Sequence, residues 1–288
     1  MELGVVFPQR EIGNDPAVIR SYAQTVEAAG FATLGAYDHV LGASPHRPGG
    51  WTGRYTDRDP FHEVFVLLGY LAAVTTRIGL STEVLVLPQR QTALVAKQAA
   101  EVDLLSGGRL RLGVGLGWNQ VEYQALGVPF ADRGRRLAEQ VGVLRRLWAE
   151  DVVSVASHWH HIDAAGLNPL PPRRGIPIWF GGRAEPALRR AARLADGWIA
   201  NIAPGPELDR SLQVLRAALA GHGRAAARFG IAGRVTVGTD PHAAVEELRT
   251  WARLGASHCA LNTMDAGVAA PLEHLERCLR AKRLWDAG

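Results

Sequence analysis

The sequence predicts an α/β fold, a (β/α)8 TIM barrel with insertions at its C-terminal face, and three observations carry that reading. Eight short apolar runs recur along the 288 residues, at 3–7, 32–37, 78–86, 109–114, 176–180, 197–201, 231–237 and 258–262. Helical patterns alternate with them, at 16–29, 61–74, 92–105, 132–149, 185–194, 206–219, 241–254 and 271–284. That count is the arithmetic of a closed parallel barrel. The third observation is the stretch 77–118, which reads as strand, helix, strand and glycine-rich loop. A crossover of that length joins parallel strands. An open, doubly wound sheet is the competing arrangement. One domain over 1–288 is expected, because no linker or second apolar block interrupts the alternation.

Taken in order, the run 3–7 is a first strand, and Asp15 before Pro16 supplies a cap and a first turn for the helix that Gly30 ends. The second strand, 32–37, leads into Asp38-His39 and then a loop at 41–60 that holds Trp51, Arg54 and Tyr55. A loop that long is usually functional or disordered, and one that follows a barrel strand belongs to the C-terminal face. After the helix 61–74, the aliphatic run 78–86 is a third strand, broken by Pro88. Gly107-Gly108 stops the helix 92–105. The strand 109–114 then runs into Gly113, Gly115 and Gly117, where small residues let a ligand approach backbone. Past the helix 132–149, VVSVASHWHHI in a second insertion, 151–174, forms a small hairpin that PLPP ends. Gly181-Gly182-Arg183 separates the strand 176–180 from the helix 185–194. The strand 197–201, the helix 206–219 and the strand 231–237 follow; Asp240 and Gly255 then bracket the helix 241–254, and 258–262 and 271–284 close the chain.

Composition narrows the function. Hydrophobic residues make up 47%, enough for a sizeable core. The net charge of +4 comes from arginines scattered along helices, not from the clustered basic stripe that nucleic acid requires. Cys259 and Cys278 are two unclustered thiols, as in a reducing compartment. No signal peptide and no membrane-spanning run is read, so a cytoplasmic protein is expected. The expected partner is a small-molecule substrate, with no nucleic acid and no membrane, and a homodimer is the assembly to test.

Several residues could carry chemistry. Asp38-His39 stands where barrel enzymes place catalytic groups, although a histidine capping a loop would look the same. Glu83 lies in a strand so apolar that its carboxylate needs a partner, or else faces a polar interior. Gly113, Gly115 and Gly117 make a poor dinucleotide fingerprint, because Trp118 follows and no helix of the right type opens there. Gly181-Gly182-Arg183 at a helix start suits phosphate, or is a tight turn. His158 and His160 would share one strand face, but no cysteine or carboxylate nearby completes a metal set, so no metal is expected. Trp51, Tyr55, Trp118 and Trp159 suggest an apolar pocket, and core packing explains tryptophans equally.

Three segments carry a family resemblance: FATLGAYDHV at 31–40, the run from TEVLVLPQRQ through GVGLGWNQVEY at 82–123, and PIWFGGRAEPALRRAARLADGWI at 177–199. Together they resemble the luciferase-like monooxygenase superfamily, most closely its branch that uses the deazaflavin coenzyme F420. The resemblance covers nearly the whole chain. It implies an F420-dependent oxidoreductase moving a hydride between the cofactor and an organic substrate, with His39 handling the proton and Asp38 beside the ring. It further implies a cis peptide at Glu83-Val84 behind the ring, and a cofactor loop of Gly115, Leu116, Gly117 and Asn119. Asn119 and Glu122 would bond the polyol or ring edge, and Gly181, Gly182 and Arg183 the phosphate. FMN in a luciferase-like monooxygenase is the alternative, and a barrel that binds cofactor without turnover is the second. Trp118 stands where the family's sugar-phosphate dehydrogenases carry an acid, which argues against glucose 6-phosphate as substrate.

Overall fold

The computed structural model describes residues 1–268 and 270–288. Its strands and helices run β1 (Glu2–Val6), α1 (Pro16–Ala28), β2 (Thr33–Ala36), α2 (Val64–Val74), β3 (Gly79–Thr82), β4 (Leu85–Val86), α3 (Thr92–Ser106), β5 (Leu110–Gly115), α4 (Gln120–Ala125) and α5 (Arg133–Ala149). They continue with β6 (Val153–Ala156), β7 (His161–Ala165), β8 (Ile178–Gly181), α6 (Glu185–Leu194), β9 (Gly197–Ile199), α7 (Pro206–Gly221), β10 (Gly230–Thr236), α8 (Pro241–Arg253), β11 (His258–Asn262) and α9 (Pro271–Asp286).

The parallel strands form a ring. β1 pairs with β11 through Glu2↔His258 to Val5↔Leu261, and β3 pairs with β5 through Leu80↔Leu110. The order β3-β2-β1-β11-β10-β9-β8-β5-β4 therefore closes on itself, with β3 and β4 as two halves of one barrel strand. The expected barrel is met, and the open sheet is excluded. One correction concerns the run 78–86: it is not one continuous strand but is broken at Glu83 and Val84, whose peptide is cis as the resemblance implies.

Local chemistry fixes the helix ends as expected. Asp15 accepts from the Ala17 N–H at 2.8 Å and Asp240 from the His242 N–H at 2.8 Å. Gly107 ends α3 in the left-handed region, at φ 72°. In α1 the buried set Ile19, Tyr22, Ala23 and Val26 repeats with helical spacing and faces the barrel. Trp179 and Trp251 pack where Gly197 and Gly233 leave room, since a Cβ on either glycine would lie within 2.4 Å of the indole.

The first insertion, 41–60, rises from the C-terminal end of β2. The second is the antiparallel hairpin β6–β7. It is rooted where α5 ends, and only its tip reaches the first turn of α3, where His160 Nε2 lies 2.6 Å from Thr92 Oγ1. His158 and His160 lie in this turn and not on a shared strand face, and a carboxylate is at hand: Glu139 Oε1 is 2.7 Å from His160 Nδ1. Trp159 belongs to the hairpin too, against His158 and near Arg135. No helix among the described residues is long and apolar enough to cross a membrane.

Candidate functional site at the barrel mouth

The extended chain after β2 turns successive side chains to opposite sides. Tyr37 points into the barrel, where the Arg234 guanidinium lies 4.9 Å from its ring centre. Asp38 turns outward and is buried, 3% exposed. Its carboxylate accepts from Arg90 Nη2 at 2.7 Å and from the Val86 N–H at 2.9 Å. Asp38 thus holds β4 and Arg90 in place, and both its oxygens are engaged by protein. Burial pulls the Arg90 guanidinium down, but Asp38 and Glu63 outweigh it and leave it above the ordinary arginine value.

His39 turns the other way, toward the loop after β5. Its Nδ1 lies 3.3 Å from Glu122 Oε2. The carboxylate on the imidazole is therefore Glu122 and not its chain neighbour Asp38. Glu122 is 1% exposed, and its other oxygen accepts from the N–H groups of Val40 and Leu41. Burial pushes this carboxyl up, yet the hydrogen bonds from His39, Val40 and Leu41 together hold it below its ordinary value. Among the described residues no protein group bonds His39 Nε2.

Asn119 Oδ1 caps α4, accepting from the N–H groups of Val121 and Glu122 at 3.0 and 3.3 Å, and its Nδ2 donates to the Leu41 carbonyl at 3.3 Å. The polar atoms of Asn119 and Glu122, which the resemblance assigns to a cofactor edge, are engaged by the loop and His39. Helix α4 itself was not anticipated from sequence, although Asn119 and Glu122 stand at capping spacing.

The floor of the mouth is built on Val84. A Cβ at Gly115 would lie 2.5 Å from Val84 Cγ2, and one at Gly181 would lie 3.0 Å from Val84 Cγ1. Gly117, at φ +66°, is held likewise by Val86, with a Cβ clash of 2.5 Å. Leu116 gives its carbonyl to the Tyr123 hydroxyl at 2.6 Å. Below Val84, Glu83 faces the polar interior: it accepts from Ser81 Oγ at 3.0 Å and Arg234 Nη2 at 3.1 Å, with Arg111 Nη2 at 3.6 Å. Its carboxylate belongs to this buried network, and Val84, half-buried, is the half of the cis pair that packs against Gly115 and Gly181.

Gly182 adopts φ +121° and gives its carbonyl to Trp198 Nε1 at 2.8 Å. Ala184 provides no side-chain cap to α6. Arg183 is exposed, with Glu207 3.6 Å away. Two buried glutamines at strand ends were not singled out by the sequence. Gln9 follows β1, with Oε1 unpartnered, and Gln89 follows β4, with both amide atoms unpartnered.

Above the floor, rings surround His39: Tyr55 at 5.1 Å, Phe61 at 4.8 Å and Trp118 at 5.6 Å, all edge-on. Trp51 stacks on Trp118 at 5.9 Å. The loop 41–60 is latched across the mouth. Arg10 bonds Asp59 at 2.8 Å and also bonds Asp265, while Arg54 reaches Asp265 at 2.8 Å. These partners lie up to 255 residues apart, and no local signal in the sequence announces them.

Comparison with known proteins places the chain in a family and agrees with the fold. Residues 1–284 match the luciferase-like monooxygenase family. An uncharacterised protein of Mycobacterium tuberculosis is 40% identical over 194 residues, 65% of this chain and 66% of the relative's own length. The F420-dependent glucose-6-phosphate dehydrogenase of Nocardia farcinica is 31% identical over 229 residues, 73% of this chain and 68% of that one. Among solved structures, the monooxygenase RslO1 of Streptomyces bottropensis superposes with a TM-score of 0.77 at 19% identity, covering 100% of this chain and 98% of that one. The coenzyme F420-dependent tetrahydromethanopterin reductase of Methanopyrus kandleri gives 0.76 at 13% identity, covering 98% and 96%. At such identities the superpositions speak for the fold.

Proposed function

The chain belongs to the luciferase-like monooxygenase family, and on that premise we propose that it is an oxidoreductase dependent on coenzyme F420, acting on an organic substrate. The observation that carries the reading is His39, with Glu122 on Nδ1 and Nε2 open, above the Val84 floor. The donor set fits a deazaflavin. A pyrimidine edge with carbonyls and an N–H wants groups that both donate and accept, and the unpartnered Gln89 amide offers both. Bound there, the cofactor supplies or takes up a hydride at its C5.

This chain's own groups then do the rest. Val84 would support the ring, with Gly115 and Gly181 keeping strand ends close around it. The uncapped start of α6, with Gly181, Gly182 and Arg183, would receive the phosphate. With Glu122 fixing the proton on Nδ1, neutral His39 presents a lone pair at Nε2 and can take a proton; protonated, it can return one, its charge balanced by Glu122.

Reduced FMN with oxygen is the second reading, since monooxygenases give the family its name. Equilibrium titration of the purified protein with F420, FMN and their reduced forms separates the two. F420 is expected to bind at least about tenfold tighter than FMN, a difference of ~1.4 kcal/mol. Tighter FMN binding would overturn the assignment. Arg183→Glu, at an exposed position, should weaken F420 by a few fold with no change in thermal stability.

A further inference from the structure

The ring cluster around His39 does more than pack. Trp51, Tyr55, Phe61 and Trp118 form one connected aromatic surface, with Tyr55–Phe61 at 4.9 Å and Tyr55–Trp118 at 6.1 Å. It is not sealed. Trp118 is 42% exposed, and the neighbouring Val40 and Leu41 are 42% and 48% exposed. Three large apolar side chains left open beside an imidazole with a free nitrogen make an apolar approach to that nitrogen.

The charges beside this surface cancel. Arg10 and Arg54 both lie over the Tyr55 ring, at 4.9 and 5.3 Å. Asp59 and Asp265 hold both guanidinium groups. Two cations thus meet two carboxylates, and Glu122 adds a further negative charge behind His39. A phosphate arriving here meets arginines already neutralised by Asp59 and Asp265, with every nitrogen of the Arg10 guanidinium engaged, while an uncharged planar molecule loses only water.

We propose that this surface binds an uncharged, planar, apolar substrate such as an aryl ketone, with its polar group toward His39 Nε2, and that it rejects phosphorylated sugars. The proposal rests on the redox reading of the mouth, but its test reads binding and not turnover.

Calorimetric titrations with four probes would be made on the full-length protein. These are acetophenone, benzoate (the same ring with a charge), cyclohexyl methyl ketone (the same polar group without planarity) and glucose 6-phosphate. Acetophenone should bind at least about tenfold tighter than benzoate and several-fold tighter than the cyclohexyl ketone. Glucose 6-phosphate should show no heat of binding. Trp118→Ala should weaken acetophenone about fivefold or more, and Trp118→Phe should restore most of the loss. Thermal melts confirm that both variants fold. The proposal is overturned if benzoate or glucose 6-phosphate matches acetophenone, if acetophenone does not bind, or if folded Trp118→Ala binds it unchanged. F420 titration of the same protein is read separately. If that cofactor fails to bind while the ketone preference holds, the F420 reading falls and the pocket assignment stands.

Discussion

His39 has a different environment on each ring nitrogen, and that asymmetry makes it testable. A general acid–base group contributes about 10²- to 10⁴-fold, so His39→Ala should lower single-turnover hydride transfer by that factor. Cofactor affinity should change far less. A normal transfer rate in a folded variant would return His39 to a packing role. Glu122→Gln keeps an acceptor but drops the charge behind the imidazole, and turnover should fall about 10- to 100-fold, the range that partners of metal-bound histidines show. Glu122→Ala also strips the acceptor from two backbone N–H groups and should cost a further ~1–3 kcal/mol in denaturant melts. Asp38→Ala should instead loosen β4 and Arg90, so its damage should appear first in stability. His39 was legible because a histidine at a strand end is a local feature. Its partner was not. Adjacent residues in extended chain face opposite ways, so Asp38 could not serve it, and Glu122 lies 83 residues away.

Element ends hold the site more than element interiors do. Gly115 closes β5 against Val84, and Gly115→Ala would put a methyl 2.5 Å from a valine carbon that itself shapes the floor. Cofactor binding should fall at least about tenfold, with a loss of roughly 1–3 kcal/mol in stability as the overpacked strands part. Preserved affinity would mean that the floor is not where the ring rests. On the opposite face of the barrel, the Glu27 carboxylate of α1 gathers the N–H groups of Thr76, Arg77 and Ile78 at the start of the third barrel strand. The strands and major helices were legible from period and caps, because Asp15, Asp240, Gly107 and Gly255 act on neighbours in sequence. The break between β3 and β4 was legible only through the family resemblance, which implies the cis peptide there; by pattern alone Glu83 and Val84 read as ordinary strand. Helix α4 spans Gln120–Ala125, too short for periodicity to reveal, and only its capping residues could have marked it.

At the scale of the whole molecule, acid should undo this barrel in two stages. Burial pushes the His274 imidazole from 6.5 to about 4, so the folded state holds it neutral while the unfolded chain takes up a proton below 6.5. That contribution is present above pH 6.5 and is lost as the pH falls toward 4. Burial pushes the Glu27 and Glu139 carboxyls up, but hydrogen bonds outweigh it and hold each at about 2. Their contribution is present above about 4.5 and is lost as the pH falls toward 2. Melting temperature should therefore decline from pH 6.5 and steepen below 4.5, and His274→Asn should flatten the first stage only. A flat profile down to pH 4.5 in the parent protein would contradict the assignment. The ring closure of β1 on β11 has a further meaning. Strand β1 starts, and helix α9 ends, on the face opposite the mouth, so the two ends of the polypeptide lie on one side of the ring. In a circle of interlocking units the order of synthesis is incidental. A circularly permuted chain, its old ends spliced by a short glycine-serine bridge and its new ends opened at the 157–160 turn of the hairpin, should assemble the same ring. It should also keep the mouth intact, because the opened turn, 157–160, holds none of the residues that shape it, although His160 reaches Thr92 in the first turn of α3.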